Sequence, residues 1–133
     1  MHKTKFFLLF FVLFLVSQAS SYSVLANETA ASEDKTATIS IVSFTNELIV
    51  AKEVQFNENE SLLDVMKREF NIELEDGLIV SIEGHKSIPN ENIHWALFVN
   101  GDVQTIAADE ISLQTSDYIR WSLEDFDERE ILK

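Results

Sequence analysis

The sequence predicts a small α+β domain, and three observations predict it. Two alternating apolar stretches near residue 40 read as a hairpin. One amphipathic stretch with a capping signature reads as the chain's one convincing helix. Two aromatic strands, His94 to Val99 and Asp117 to Leu123, close the chain, the first running directly into Asn100-Gly101, a dipeptide suited to a tight hairpin turn.

The first 26 residues stand apart from the fold. Met1-His2-Lys3-Thr4-Lys5 is a short basic region, Phe6 to Val16 is an unbroken apolar run of eleven residues, and Val24-Leu25-Ala26 offers small or apolar residues where a signal peptidase reads. Crossing a bilayer takes about 20 mainly apolar residues, so eleven fall short. The expected segment is a cleaved secretory signal, residues 1–26, with cleavage after Ala26 preferred over Ala19 and an uncleaved N-terminal anchor as the competing reading. No cysteine lies near it, which excludes a lipobox.

Cleavage after Ala26 removes two lysines and no acid, leaving 8 basic against 23 acidic residues over 107 positions. A surface of net charge −15 repels phosphate backbones and anionic headgroups, so neither nucleic acid nor membrane insertion after cleavage is expected. Solubility alone accounts for such acidity, and so does a cationic partner. The chain has no cysteine, so it folds on apolar burial without disulfides, which about 100 residues can supply. That combination points to an exported protein of a Gram-positive bacterium. The Asn27-Glu28-Thr29 and Asn59-Glu60-Ser61 triplets match the glycosylation pattern, which matters only in a eukaryotic lumen.

Residues 27–35 are rich in Ala, Ser and Glu without periodicity and read as a flexible lead. Thr36 to Phe44 alternates with Ile39 and Ile41 on one side, Thr45-Asn46 turns the chain, and Leu48, Val50, Val54 and Phe56 alternate as the returning strand. Lys52 falls on its apolar side, which calls for a bulge or for a stem that runs along apolar surface to reach solvent. Ser61 with Asp64 forms a capping-box pattern, and Leu62, Val65, Met66 and Phe70 then repeat at helical spacing, with Asn71 as the stop.

Leu78 to Gly84 reads as a third strand, with a small ribbon before it closed by Asp76-Gly77. A polar loop with the only proline, Pro89, leads to the two aromatic strands. The order β-β-α-β-β-β, with antiparallel hairpins and one helix on one face of a mixed sheet, is that of the ubiquitin-like β-grasp. The domain is expected over residues 36–126, with an acidic, solvated tail at 127–133.

Catalytic signatures are missing. The two histidines beyond the signal, His85 and His94, lie nine residues apart, unlike a zinc-peptidase pair, and no Gly-x-Ser-x-Gly occurs. The three glycines are too scattered to cradle a phosphate and fit structural turns. The Glu124 to Glu130 acids lack the central glycine of a calcium loop. The protein is therefore read as non-enzymatic. Alternation puts Trp95, Leu97 and Val99 on one face and His94, Ala96 and Phe98 on the other; likewise Ile119, Trp121 and Leu123 oppose Tyr118, Arg120 and Ser122. With the tryptophans toward the helix, Phe98 and Tyr118 lie on the open face beside His94 and Arg120, a stacking surface for a flat organic ligand or a partner strand.

The ordered set Ser61-Leu62-Leu63-Asp64-Val65-Met66, Ser81-Ile82-Glu83-Gly84, Trp95-Ala96-Leu97-Phe98-Val99-Asn100-Gly101 and Asp117-Tyr118-Ile119-Arg120-Trp121 resembles the transcobalamin-like C-terminal domain family, over about residues 36–124. Two departures stand out: Ile106-Ala107-Ala108 replaces the family's glycine-containing loop, and Ser116-Asp117 replaces its Gly-Asp. The resemblance implies a β-grasp module that binds a small molecule, with a corrinoid such as cobalamin as the ligand suggested and no firmly implied cofactor. It implies ligand-side positions at His94, Trp95, Phe98, Gln104 and Ile106. In the carriers a separate helical domain forms the other half of the clamp, and this sequence shows no counterpart to it. The alternative is an extracellular or envelope interaction module that binds another protein, such as a transporter component, through its open sheet face or an edge strand.

Overall fold

The computed structural model describes the backbone of residues 34–131 and the side chains of residues 34–128. The expected signal and nearly all of the lead lie outside the described residues. Strands β1 (Thr36–Val42) and β2 (Leu48–Gln55) form the first hairpin, closed where the Ser43 amide donates to the Glu47 carbonyl at 2.8 Å and Asn46 takes a φ of 63°. Helix α1 (Leu62–Glu69) follows. Then come β3 (Ile72–Glu75), β4 (Leu78–Ile82), β5 (His85–Lys86), β6 (Ile93–Val99), β7 (Asp102–Val103), β8 (Tyr118–Asp125) and a short helix α2 (Phe126–Ile131).

The main sheet has the order β2-β1-β8-β6-β7. Its centre is a parallel pair, β1 with β8, which joins the first strand of the chain to the last; all other pairs are antiparallel. One helix covering a mixed sheet in this order is an α+β fold of β-grasp type. The third predicted strand forms as β4. Leu78–Ile82 does not enter the main sheet but is the middle strand of a second sheet, β3-β4-β5. Tight turns at Asp76-Gly77 and Glu83-Gly84 fold a strand back on each side of it, β3 along most of its length and the two-residue β5 against Ser81 and Ile82.

Each of these turns, and Asn100-Gly101, holds both central residues at positive φ, as two-residue hairpins require. A Cβ added to Gly101 would meet nothing within 4 Å, so the backbone angle of 87°, not crowding, explains the glycine.

Helix α1 starts as its sequence dictates. The Ser61 Oγ accepts from the Asp64 amide at 3.2 Å, and the Asp64 carboxylate accepts from the Ser61 amide at 3.1 Å. The Ser61 amide first, and then the Ser61 hydroxyl, which donates to the same carboxylate at 3.0 Å, hold the Asp64 carboxyl below the usual carboxylate range. The helix ends at Phe70, one residue before the expected stop. Lys52 resolves without a bulge, since it stays in register opposite Ile39. Its ammonium lies 4.8 Å from the Phe70 ring and donates to the Glu69 carbonyl at 2.6 Å, so the stem crosses apolar surface and the charge meets the helix C-terminus.

Leu62, Val65 and Met66 pack with Ile39, Ile41, Ile119 and Leu97 in one core that also takes in Ala108, Ile111 and Leu113 from the β7–β8 connection. Every residue of that core lies between Ala37 and Leu123, so the unit 34–133 carries its own core. The acidic stretch read as a tail begins instead as α2. The Phe126 amide donates to the Asn92 carbonyl at 3.0 Å, and the Asn92 side chain donates to Asp127 at 2.7 Å.

Candidate functional site

Strand alternation sorts the aromatic strands as the sequence indicated. Trp95, Trp121, Ile119 and Leu123 are buried in the core beneath α1. The indole of Trp95 donates to the His85 carbonyl at 3.3 Å, whereas the buried Trp121 Nε1 finds no acceptor among the described residues. The opposite face carries Tyr118 and Arg120 of β8, His94 and Phe98 of β6, and Ser40 of β1.

Register makes this face one surface. Phe98 stands opposite Arg120, and Arg120 opposite Ser40, so three strands contribute to a single row. The Arg120 guanidinium lies over the Phe98 ring at 4.2 Å, stacking a planar cation on a planar ring. Tyr118, 48% exposed, extends along the sheet so that its hydroxyl meets the Ser40 Oγ at 2.9 Å. That bond ties the half-exposed phenol of β8 to β1. Farther along β6, the His94 and Phe126 rings meet edge to face at 5.2 Å. Between those aromatic groups the face carries only the small side chains of Ala96 and Ser122, which pair across β6 and β8. A concavity of about 320 Å³ opens at the same end, lined by Phe44, Asn46, Ser122, Glu124 and Glu128 among others.

The five positions suggested by resemblance do not converge. His94 and Phe98 share the open face. Trp95 points the other way, 8% exposed, and serves the core. Gln104 and Ile106 lie in the connection that carries the chain from β7 to the helix side, where Ala108 and Ile111 join the core. The Gln104 amide extends the β6–β7 pairing to the Leu97 carbonyl at 2.8 Å, and its side chain bonds locally to the Asp102 carbonyl at 3.1 Å. Ile106 is 49% exposed.

Two contributors escaped the sequence reading. Ser40 looked like any polar residue of an alternating strand, and Phe126 looked like part of an acidic tail. An aromatic two positions beyond Glu124, which pairs with His94, was the available signal for Phe126. Among the described residues no three His, Asp or Glu side chains come together to hold a metal ion, and no helix is long and apolar enough to cross a membrane.

Residues 59–125, about half of the chain, match the model of a family described as "Domain of unknown function (DUF4430)". Among solved structures, the "putative metal binding protein" of Ruminococcus gnavus ATCC 29149 is similar at a TM-score of 0.55 and 14% identity, covering 69% of this chain and 98% of that one. Haptocorrin in complex with Cbi is similar at a TM-score of 0.55 and 19% identity, over 69% of this chain and 26% of haptocorrin. At these identities the likeness establishes the fold, and the chain spans about a quarter of haptocorrin's length. No curated protein matches the chain.

Proposed function

The chain belongs to the family of the domain of unknown function DUF4430, and on that premise we propose that it is a secreted, non-catalytic module that holds a small, flat, partly apolar ligand on the open face of its main sheet. The observation that carries this reading is the platform of Tyr118, Arg120 and Phe98, built across neighbouring strands on the face that α1 leaves uncovered. Planar groups stack on such a surface with little loss of side-chain freedom, because the Ser40 bond and the Phe98 stack already hold Tyr118 and Arg120. Secretion rests on the basic region and apolar run of residues 1–26.

A corrinoid is the first ligand to test, because haptocorrin, which shares the fold, was solved with Cbi. His94 and Phe98 are the ligand-side residues on this face. Trp95 acts as scaffold beneath it, and Gln104 and Ile106 contribute only to a ligand broad enough to reach the sheet edge. Calorimetry of residues 27–133 with cobinamide, alongside its visible spectrum, tests the assignment. Saturable heat with a spectral shift supports it; no heat at high micromolar ligand rejects a corrinoid.

A second reading has its own observation. Strand β2 is an eight-residue edge of the main sheet with Leu48 63% exposed, which suits addition of a strand from a partner protein. Protection of β2 amides from exchange on adding an envelope partner would favour it.

A further inference from the structure

We infer that the open face selects a planar organic anion, a flat ring system bearing a carboxylate, sulfonate or phosphate, and that Arg120 reads the negative group. This inference rests on the open-face reading above and adds to it the charge of the ligand.

The chain carries 23 acids against 10 bases; of the six bases whose side chains are described, Lys35 is tied to Glu58, Arg68 to Glu60 and Glu69, and Lys86 to Glu73, while Lys52, Lys67 and Arg120 form no ion pair with a described residue. Lys52 and Lys67 are exposed, and Lys52 donates to the Glu69 carbonyl, whereas Arg120 is half-buried on the open sheet face. Among the described residues it forms no ion pair, and its direct cross-strand neighbours are Ser40 and Phe98, neither of them acidic. Along β8 its same-face neighbours are Tyr118 and Ser122. A half-buried guanidinium without a carboxylate, in a chain so rich in carboxylates, is a cation kept available.

Geometry then sets what it can hold. One face of the guanidinium is occupied by Phe98 at 4.2 Å. That contact fixes its plane and leaves its N–H edge to donate in the paired fashion that matches a carboxylate or phosphate. Tyr118 cannot substitute as the anion reader, because its hydroxyl is committed to Ser40. It supplies ring area instead. The two halves of the ligand follow: an apolar plane for Tyr118 and Phe98, and an oxyanion for Arg120. The surrounding acidity repels anions that lack the plane, so inorganic phosphate alone gains little.

Two fluorescent probes of similar ring system separate the terms: 8-anilinonaphthalene-1-sulfonate, an anion, and N-phenyl-1-naphthylamine, its neutral counterpart. With residues 27–133, the sulfonate is expected to bind at least about tenfold more tightly, as a charge-assisted hydrogen bond implies. Arg120→Gln is expected to bring the two probes to equal affinity, while Arg120→Lys retains part of the preference and Phe98→Ala weakens both. A shift of the Arg120 side-chain N–H resonance on adding the sulfonate locates the contact, and an unchanged denaturation midpoint for Arg120→Gln shows that it folds. Equal binding of the two probes by the unmodified protein, or a preference that survives Arg120→Gln, overturns the anion assignment while leaving a planar-ligand surface. Binding of neither probe overturns the surface itself, and this inference with it.

Discussion

The two tryptophans offer a matched experiment on what holds the fold together. Trp95 and Trp121 are 8% and 6% exposed, on the same face of adjacent strands, and differ in one respect. The Trp95 N–H is bonded to the His85 carbonyl at 3.3 Å; the Trp121 N–H has no acceptor among the described residues. Replacing either by phenylalanine removes similar apolar volume, so the packing losses nearly cancel between the variants. What remains is polar. Trp95→Phe forfeits a hydrogen bond with a net value of about 0.5–1.5 kcal/mol. Trp121→Phe removes a buried unsatisfied donor whose desolvation costs about 1–3 kcal/mol. Trp95→Phe should therefore be the less stable variant by about 3 kcal/mol, the two polar effects adding in the same direction. In urea, with a slope of about 2 kcal/mol/M, the two midpoints should lie about 1.5 M apart, with unchanged slopes. Equal midpoints, or a lower midpoint for Trp121→Phe, would refute the reasoning.

The remaining expectations are as direct. Ser61→Ala removes the cap of α1 and should cost about 1 kcal/mol, read as a lower urea midpoint. Because the Asp64 carboxyl is held below its unfolded pKa, its contribution to stability is present above the unfolded value and is lost as pH falls through the folded one. Asp64→Asn should therefore flatten part of the acid arm of the stability profile, and the Asp64 carboxyl resonance should titrate at higher pH in Ser61→Ala. Gly101→Val forces a β-branched residue to a φ of 87° in open space and should destabilise by about 1–2 kcal/mol through the backbone alone; an unaffected midpoint would mean that the turn relaxes.

Much of the fold was legible because local chemistry and tertiary burial agree. The capping box, the 3.6-residue repeat of Leu62, Val65 and Met66, and the positive-φ turns at Asp76-Gly77 and Asn100-Gly101 are all satisfied as written. Lys52, which broke the alternation of β2, did so to reach the C-terminus of α1. The sheet that receives β4 was not legible, because alternation defines a strand's faces but not its neighbours; two tight turns decided that. Helix α2 was hidden by acidic composition and depends on long-range bonds to Asn92, which no local pattern reports. For the site, His94 and Phe98 follow from alternation once the tryptophans are placed inside. The Arg120–Phe98 stack and the Ser40–Tyr118 bond depend on cross-strand register, and parallel pairing of the first and last strands is invisible to local spacing. The loop positions Gln104 and Ile106 came from resemblance alone, and the chain carries them toward the helix side.

The central claim is that the open face of the main sheet is the ligand surface. Titrating cobinamide and 8-anilinonaphthalene-1-sulfonate separately into isotope-labelled protein, and mapping the resonances that move, tests it most directly. The account predicts that either ligand that binds shifts Phe98, Tyr118, Arg120 and His94 together and leaves α1 and the β3-β4-β5 sheet unmoved. Shifts that instead gather on Gln104, Ile106 and the β7–β8 connection, or along the β2 edge, would contradict it.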